Sequence, residues 1–283
     1  MAVPVHASPL ERVWYYTFRV ICALIFLFLV GPLLVIIPLS FNAEPYFTFT
    51  SGMLHLDPAA YSLRWYNDFL ESTRWMSSIE NSFIIAIAST ILSTTLGTVA
   101  ALGLSSRFMP FKNLIMGLLI SPMIVPLIIS AAGMFFFYSK IGLAQTYAGV
   151  ILAHTALGLP FVIITVTATL TGFDQSLTRA AASLGSHPTN TFFKVILPLV
   201  TPGVVSGALF AFITSFDEVV VILFLSGPQQ RTVPIQMWSG IRESISPTIL
   251  AVATLLVLIS VCLLTTLELL RRRSERIRGM SPG

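Results

Sequence analysis

Charge is what this chain has least of. Only 10% of its 283 residues are Asp, Glu, Lys or Arg, while 55% are hydrophobic and the mean hydropathy is +0.87. A water-soluble domain needs roughly a quarter of its residues charged to solvate its surface, so soluble enzymes, disordered chains and nucleic-acid binders are set aside. Cysteine is also scarce. Cys22 and Cys262 both fall in apolar runs, where a thiol packs as a small hydrophobe, which excludes a disulfide scaffold. The four histidines, His6, His55, His154 and His187, are too scattered for a metal site. No nucleophile elbow is present, and none of Lys112, Lys140 or Lys194 stands in the Gly-x4-Gly-Lys-Ser/Thr setting that cradles nucleotide phosphates.

What the chain has instead is long intervals free of charge. A buried charge is expensive in hydrocarbon, and a helix needs about 20 residues to cross it. Six such intervals run over 20–39, 81–106, 113–139, 141–173, 195–216 and 244–267. They predict an all-α membrane protein with six transmembrane helices. The first run is longer than a secretory signal's apolar core and is read as a permanent helix. With six spans, 11 of the 16 Lys and Arg lie on the side of the termini, among them the terminal run RRRSERIR, and both termini are predicted to be cytoplasmic. The +4 balance therefore records orientation rather than an anionic partner. The same basic run suits anionic lipid.

Two spans carry small residues at four-residue spacing, which lets a neighbouring backbone approach. In the second these are Ser89, Ser93, Gly97 and Ala101; in the fifth, Gly203, Gly207, Ala211 and Ser215. Packing inside the chain and packing against a partner subunit both fit such ladders. Pro122 and Pro126 predict a bent or broken third span, and Gly158 with Pro160 a bent or broken fourth. The external segment from about 41 to 79, with Tyr61, Trp65, Tyr66, Phe69 and Trp75, reads as a short helix lying at the membrane interface, with a lid or docking surface as the alternative.

Between the fourth and fifth spans lies a polar segment reading FDQSLTRAAASLGSHPTNTFFKVILP. Asp174 suits a helix N-cap, Leu177 to Leu184 is helix-compatible, and Gly185 with Pro188 supplies a stop. The result is a short helix presenting Ala180 to Ala182, a shape suited to a groove on another protein.

This segment resembles the EAA loop of ABC-importer permeases, in which Glu-Ala-Ala is followed by three residues, Gly, nine residues and Ile-x-Leu-Pro. Arg179, Ala180 and Ala181 take the first three places, Gly185 the glycine, Val195 the isoleucine, and Leu197 and Pro198 the end. Arg179 reverses the charge of the usual Glu. The resemblance implies a six-helix type I ABC importer permease in a bacterial inner membrane, with this loop as the coupling helix that sits in a cleft of a cytoplasmic ATP-binding subunit. The permease itself is then not an enzyme and binds no cofactor; ATP and Mg belong to the partner. The implied domain plan is a cytoplasmic N-terminus over 1–19, a transmembrane domain over 20–270 including the coupling loop 174–198, and a basic C-terminus over 271–283.

Asp217 and Glu218 stand side by side within an apolar stretch, the one adjacent acidic pair within a span. Acids at such depth face a cavity or partner, and neighbours on a helix point about 100° apart, so the two are expected to differ in role. Attraction of a cationic substrate and a structural or gating role, such as capping a broken helix, both remain open. The run SFDEVVVILFLSGPQQRTVPIQMWSGIRESISPTILAVATLL, together with YSLRWY at Tyr61 to Tyr66, resembles the spermidine/putrescine-type permeases. That resemblance implies a second similar permease, two ATPase copies and a periplasmic or extracellular substrate-binding protein. It implies a small polyamine or related cationic amine as cargo, with an opine, amino-acid-like or other organic solute as the alternative. Trp238, Arg242 and Glu243, with Arg231 and Gln236, are candidates for the outer face. The rival from another class is an ion-coupled secondary transporter using Asp217, Glu218 and His154, which leaves the cytoplasmic loop without a purpose.

Overall fold

A computed structural model describes residues 8–106, 108–174, 176–243 and 246–277. In chain order the helices are α1 (Pro9–Leu39), α2 (Ser51–Leu54), α3 (Arg64–Glu71), α4 (Thr73–Ser105), α5 (Lys112–Ile124), α6 (Leu127–Lys140), α7 (Tyr147–Thr171), α8 (Ser176–Ser183), α9 (Pro188–Thr191), α10 (Leu197–Phe216), α11 (Val220–Leu225), α12 (Val233–Glu243) and α13 (Thr248–Ile277). Among the described residues β structure is limited to one bridge between Asn42 and Tyr61. Four helices are long and apolar enough to cross a membrane: α1, α4, α7 and the run Pro188–Phe216 that ends in α10. The α5–α6 pair makes a fifth if it is one broken span, and α13 adds the apolar stretch Thr248–Cys262. Each of the six coincides with one of the charge-free intervals. The chain divides into two compact units, Met1–Ser72 with Gly240–Gly283, and Thr73–Ser239.

The second unit is built on α7, against which α4 and α10 both pack. The two small-residue ladders form its seams. Ser89, Ser93, Gly97 and Ala101 of α4 are buried, as are Gly203, Gly207, Ala211 and Ser215 of α10. The approach is close enough that a Cβ on Gly97 would lie 2.7 Å from Val162 Cβ, and one on Gly207 2.8 Å from Val162 Cα. Gly203 lies against Thr169 Oγ1 in the same way. The ladders thus serve packing within the chain. In lipid, where helices gain no hydrophobic driving force from association, such close contact supplies the attraction.

The two proline-bearing spans behave differently. The third breaks as expected, with α5 and α6 meeting at 101°. Val125, before Pro126, is extended with ψ 135°, because the proline ring bars the helical conformation from its predecessor. The fourth does not break. α7 continues through Gly158 and Pro160 for 25 residues, and Gly158 is a contact point: a Cβ there would come 2.8 Å from Ser93 Oγ and 3.0 Å from Ala211 Cβ. The proximity of those neighbours leaves no room for a side chain at this position.

In the first unit α1 starts earlier than its apolar run. Ser8 and Glu11 close a capping box, with Glu11 Oε2 accepting from Ser8 N–H at 2.8 Å, and Pro9 sits in the first turn. Of its 31 residues only Leu39 is buried. The segment after it contains the short helix α3, whose Trp65 and Phe69 are each 5% exposed and so pack into protein. Asn42 organises the turn: its side chain donates to the carbonyls of Tyr46 and Thr48, its Oδ1 accepts from Glu44 N–H, and its own carbonyl accepts from Trp65 Nε1 at 2.6 Å. α3 then packs against α13. α13 itself carries helix through Arg271–Arg273 and on to Ile277, so the backbone continues as helix beyond the expected domain end at 270.

Candidate functional site

The loop between α7 and α10 folds as its sequence suggests. Asp174 Oδ1 accepts from Ser176 N–H at 2.8 Å and Oδ2 from Ser176 Oγ at 2.6 Å, closing the start of α8. Those bonds favour the carboxylate and hold the Asp174 carboxyl below its ordinary value of 3.8. At the other end Gly185 has φ +78°, its N–H donates to Ala182 O and Ser186 N–H to Ala181 O, both at 3.0 Å. This is the paired-bond stop of a left-handed C-terminal glycine. Between these ends Leu177, Ala180, Ala181 and Leu184 share one face by their three- and four-residue spacing. Leu184 is 89% exposed and Leu177 43%. Arg179 and Ala180 are exposed and Ala181 half-buried. The polar loop thus carries an exposed apolar stripe on an eight-residue helix.

Val195, Leu197 and Pro198 stand apart from that surface. They form the return into α10, where Phe192–Ile196 is a π turn and Leu197 N–H bonds back to Phe192 O, five residues earlier. Pro198 accounts for the wider turn, since it has no N–H for the carbonyl of Lys194 and its ring presses against it. α8 touches α9 and this turn, so the loop is braced against the foot of α10.

α10 ends at Phe216, and the chain breaks between it and α11. The two acids at the break separate in role. Glu218, 7% exposed, turns its Oε1 to accept from Val221 N–H at 2.7 Å and so caps the short α11. Asp217 is exposed, and no hydrogen bond or ion pair engages its carboxylate among the described residues. α11 packs against α6 and α7, with Val221, Ile222 and Leu225 joining Ile85, Val150, Ala153 and Leu157 in the apolar core.

Beneath this core lies a polar chain that the sequence reading did not assemble. His154 Nδ1 lies 2.8 Å from Ser215 Oγ, Ser89 Oγ lies 2.9 Å from the same atom, and Ser93 Oγ donates to Thr155 O at 3.1 Å. It ties α4, α7 and α10 together where their ladders meet. His154 is a hydrogen-bonded core residue, as expected of a lone buried histidine. The serines of the ladders were legible as small; their hydroxyls were the signal for the network.

At the end of α7 remote from α8, Asn81 makes a second junction. Its Nδ2 donates to Gln229 O at 2.7 Å and Arg231 O at 2.9 Å, while its Oδ1 accepts from Tyr147 Oη at 2.7 Å. Nearby Ser82 Oγ accepts from Val233 N–H at 2.8 Å. A cleft of about 500 Å³ opens there, lined by Arg74, Glu80, Asn81, Tyr147 and Arg231 among others. Of the residues proposed for the outer face, Trp238 is 47% exposed on α12, Arg242 is exposed on the same helix, and the side chain of Glu243 lies outside the described set. Among the described residues no group of three His, Cys, Asp or Glu is placed to hold a metal ion.

The chain thus combines long apolar helices, one broken span and a capped polar-loop helix between α7 and α10. The model of the family described as binding-protein-dependent transport system inner membrane component matches residues 93–276. That span is more than half of the chain, and the protein belongs to this family. It is a multi-pass inner-membrane permease subunit of a binding-protein-dependent importer, with the type I ABC importer permease fold. The chain is 28% identical over 251 residues to the spermidine/putrescine transport system permease protein PotC of Haemophilus influenzae, covering 89% of this chain and 95% of that one. It is 31% identical over 245 residues to the putrescine transport system permease protein PotI of Escherichia coli, covering 84% of each. The osmoprotective compounds uptake permease protein GgtD of Synechocystis is 31% identical over 170 residues, 60% of this chain and 57% of that one. Among solved structures, a bacterial ABC transporter involved in the import of the acidic polysaccharide alginate matches with a TM-score of 0.71 at 15% identity, over 94% of this chain and 98% of the other. At that identity the likeness concerns fold alone.

Proposed function

We propose that this chain is the permease for a small cationic amine of the polyamine type, working beside a second homologous permease, two cytoplasmic ATP-binding subunits and a periplasmic substrate-binding protein. The observation that carries the importer assembly is α8, an exposed apolar stripe capped rigidly at both ends by Asp174 and Gly185. A groove on an ATP-binding subunit would receive Leu177, Ala180, Ala181 and Leu184, with Arg179 at its edge. Closure of those subunits around ATP and Mg would push on α8 and, through the braced π turn, on α10. Val195, Leu197 and Pro198 transmit the movement in this reading rather than contact the partner. The 11 basic residues on the side of α8 and both termini support placing that side in the cytoplasm.

Cargo is supported by the polyamine names of the PotC and PotI relatives and by Asp217. Its exposed carboxylate at the α10–α11 break is free to meet a cation, whereas Glu218 is engaged with the backbone of α11. The osmoprotective-compounds name of GgtD favours another organic solute as the second reading.

The test is uptake into proteoliposomes holding the two permeases and the ATP-binding subunits, with labelled putrescine and spermidine and the cognate binding protein outside. Uptake that needs ATP inside and binding protein outside supports the proposal. Uptake that persists without the ATP-binding subunits and follows an ion gradient refutes the importer assembly, and ATP-driven uptake of a neutral solute in preference to amines refutes the cargo.

A further inference from the structure

The geometry points to the cleft at the far end of α4 and α7 as a receptor for an acidic side chain of the substrate-binding protein, held between the guanidinium groups of Arg74 and Arg231. The inference rests on the importer assembly proposed above and assigns the contact point of one of its partners.

Three observations carry it. The cleft is built rather than incidental: Asn81, 6% exposed, uses both amide donations and its carbonyl oxygen to join the start of α4 to the 229–231 loop and to Tyr147 at the start of α7. Tyr147 Oη donates again to Gln229 O at 2.9 Å, and the backbone that carries Arg231 is thereby fixed. Side chains standing on a pinned loop meet a partner with little ordering cost.

The charges in the cleft are unspent. Arg74 and Glu80 are exposed and Arg231 half-buried, and none of the three enters an ion pair among the described residues. Two guanidinium groups against one carboxylate leave the lining positive. Arginine presents a planar fork of donors that matches a carboxylate, which makes acidic side chains the fitting occupant. The same charge excludes the proposed cargo, because a polyamine would meet like charge on two sides. The cleft is therefore a docking contact and not the substrate's entrance.

Its position agrees. Tyr147 opens α7 and Thr171 closes it just before α8, so the cleft and the docking helix lie at opposite ends of a 25-residue helix, about 37 Å apart. A partner on the side opposite the ATP-binding subunits faces the end of α7 that carries the cleft.

The experiment uses the whole complex in nanodiscs and the cognate binding protein as probe, with affinity measured by biolayer interferometry across a salt series. Arg74→Gln with Arg231→Gln is expected to weaken binding about tenfold and flatten its salt dependence. Arg74→Lys with Arg231→Lys, which keeps the charge, is expected to recover most of it. Basal ATP hydrolysis, driven from the other end, is expected to stay at the wild-type level in both, and it reports that each variant has folded. Wild-type affinity in the Gln variant overturns the inference, and so does competition by succinate or inorganic phosphate beyond a chloride control, which would make the cleft a small-anion site. Absence of any binding protein that engages the wild-type complex refutes the importer assembly instead. Should the Gln variant fail to assemble, Arg231→Glu paired with an acid-to-Lys exchange on the binding protein decides the matter: restored binding supports the contact, and no restoration at any surface acid overturns it.

Discussion

Replacing Gly185 tests whether α8 works as a rigid peg. Its φ of +78° lies in the left-handed region, and a Cβ added there would meet no atom within 4 Å. The cost of a side chain is therefore purely conformational, about 1–2 kcal/mol for an L-residue forced left-handed. That corresponds to roughly a 5–30-fold loss of the closed helix end relative to its frayed forms. A surface helix of eight residues opens locally with a free energy far below that of the whole bundle, so the loss is large for α8 and negligible for global stability. Gly185→Val is expected to leave the melting temperature of the assembled complex unchanged while lowering the amine transported per ATP hydrolysed. Because asparagine and aspartate tolerate the left-handed region, Gly185→Asn should uncouple least, with Asp and then Ala between it and Val. The assay is paired measurement of uptake and phosphate release in the same proteoliposomes. Wild-type coupling in the Val variant, or an Asn variant as uncoupled as Val, would refute the reasoning.

Overpacking the seam should be felt as stability: Gly207→Leu, driven against Val162 and Thr165, is expected to cost about 1–3 kcal/mol or more and to lower the melting temperature in detergent, whereas Gly133→Ala, where an added Cβ meets nothing, should be silent. Removing the cap at the helix break separates the two acids. Glu218→Ala strands the Val221 N–H at about 1–3 kcal/mol and should destabilise, while Asp217→Asn should keep the wild-type melting temperature and reduce uptake of a cation more than of a neutral solute; equal loss for both would count against substrate attraction. Asp174 fixes a pH expectation. Its native carboxyl lies below the ordinary 3.8, so the stability it adds is present above that unfolded value and is lost as pH falls through the lower native one. Between neutrality and mild acid the coupling ratio should not respond to this group, and a fall of coupling near pH 6 that Asp174→Asn abolishes would contradict it.

The spans were legible because hydrocarbon imposes a one-dimensional rule. A charge is costly at that depth, so its absence over about 20 residues marks a helix whatever packs beside it. The loop helix α8 was legible for another local reason, since caps and stops act within a few residues: Asp174 bonds Ser176 and Gly185 closes on Ala182. Other features depended on contacts made across the fold. Ser93 and Ala211 crowd Gly158 from helices far away in sequence. Trp65 gives its indole N–H to the carbonyl of Asn42, more than twenty residues earlier.

The acidic pair shows the same division most clearly. That two carboxylates stand in an apolar stretch, and that adjacent residues cannot share a direction, follows from the order of residues alone. Which of them is spent depends on where α10 stops: the chain turns at Asp217, α11 begins three residues later, and its first amides face Glu218 and not its neighbour. Hydropathy and capping are properties of a short window of chain, and the amino-acid order states them outright. The pairing of His154 with Ser215, and of Asn81 with a loop some 150 residues away, comes only from packing, because those bonds join segments that meet only once the helices have docked.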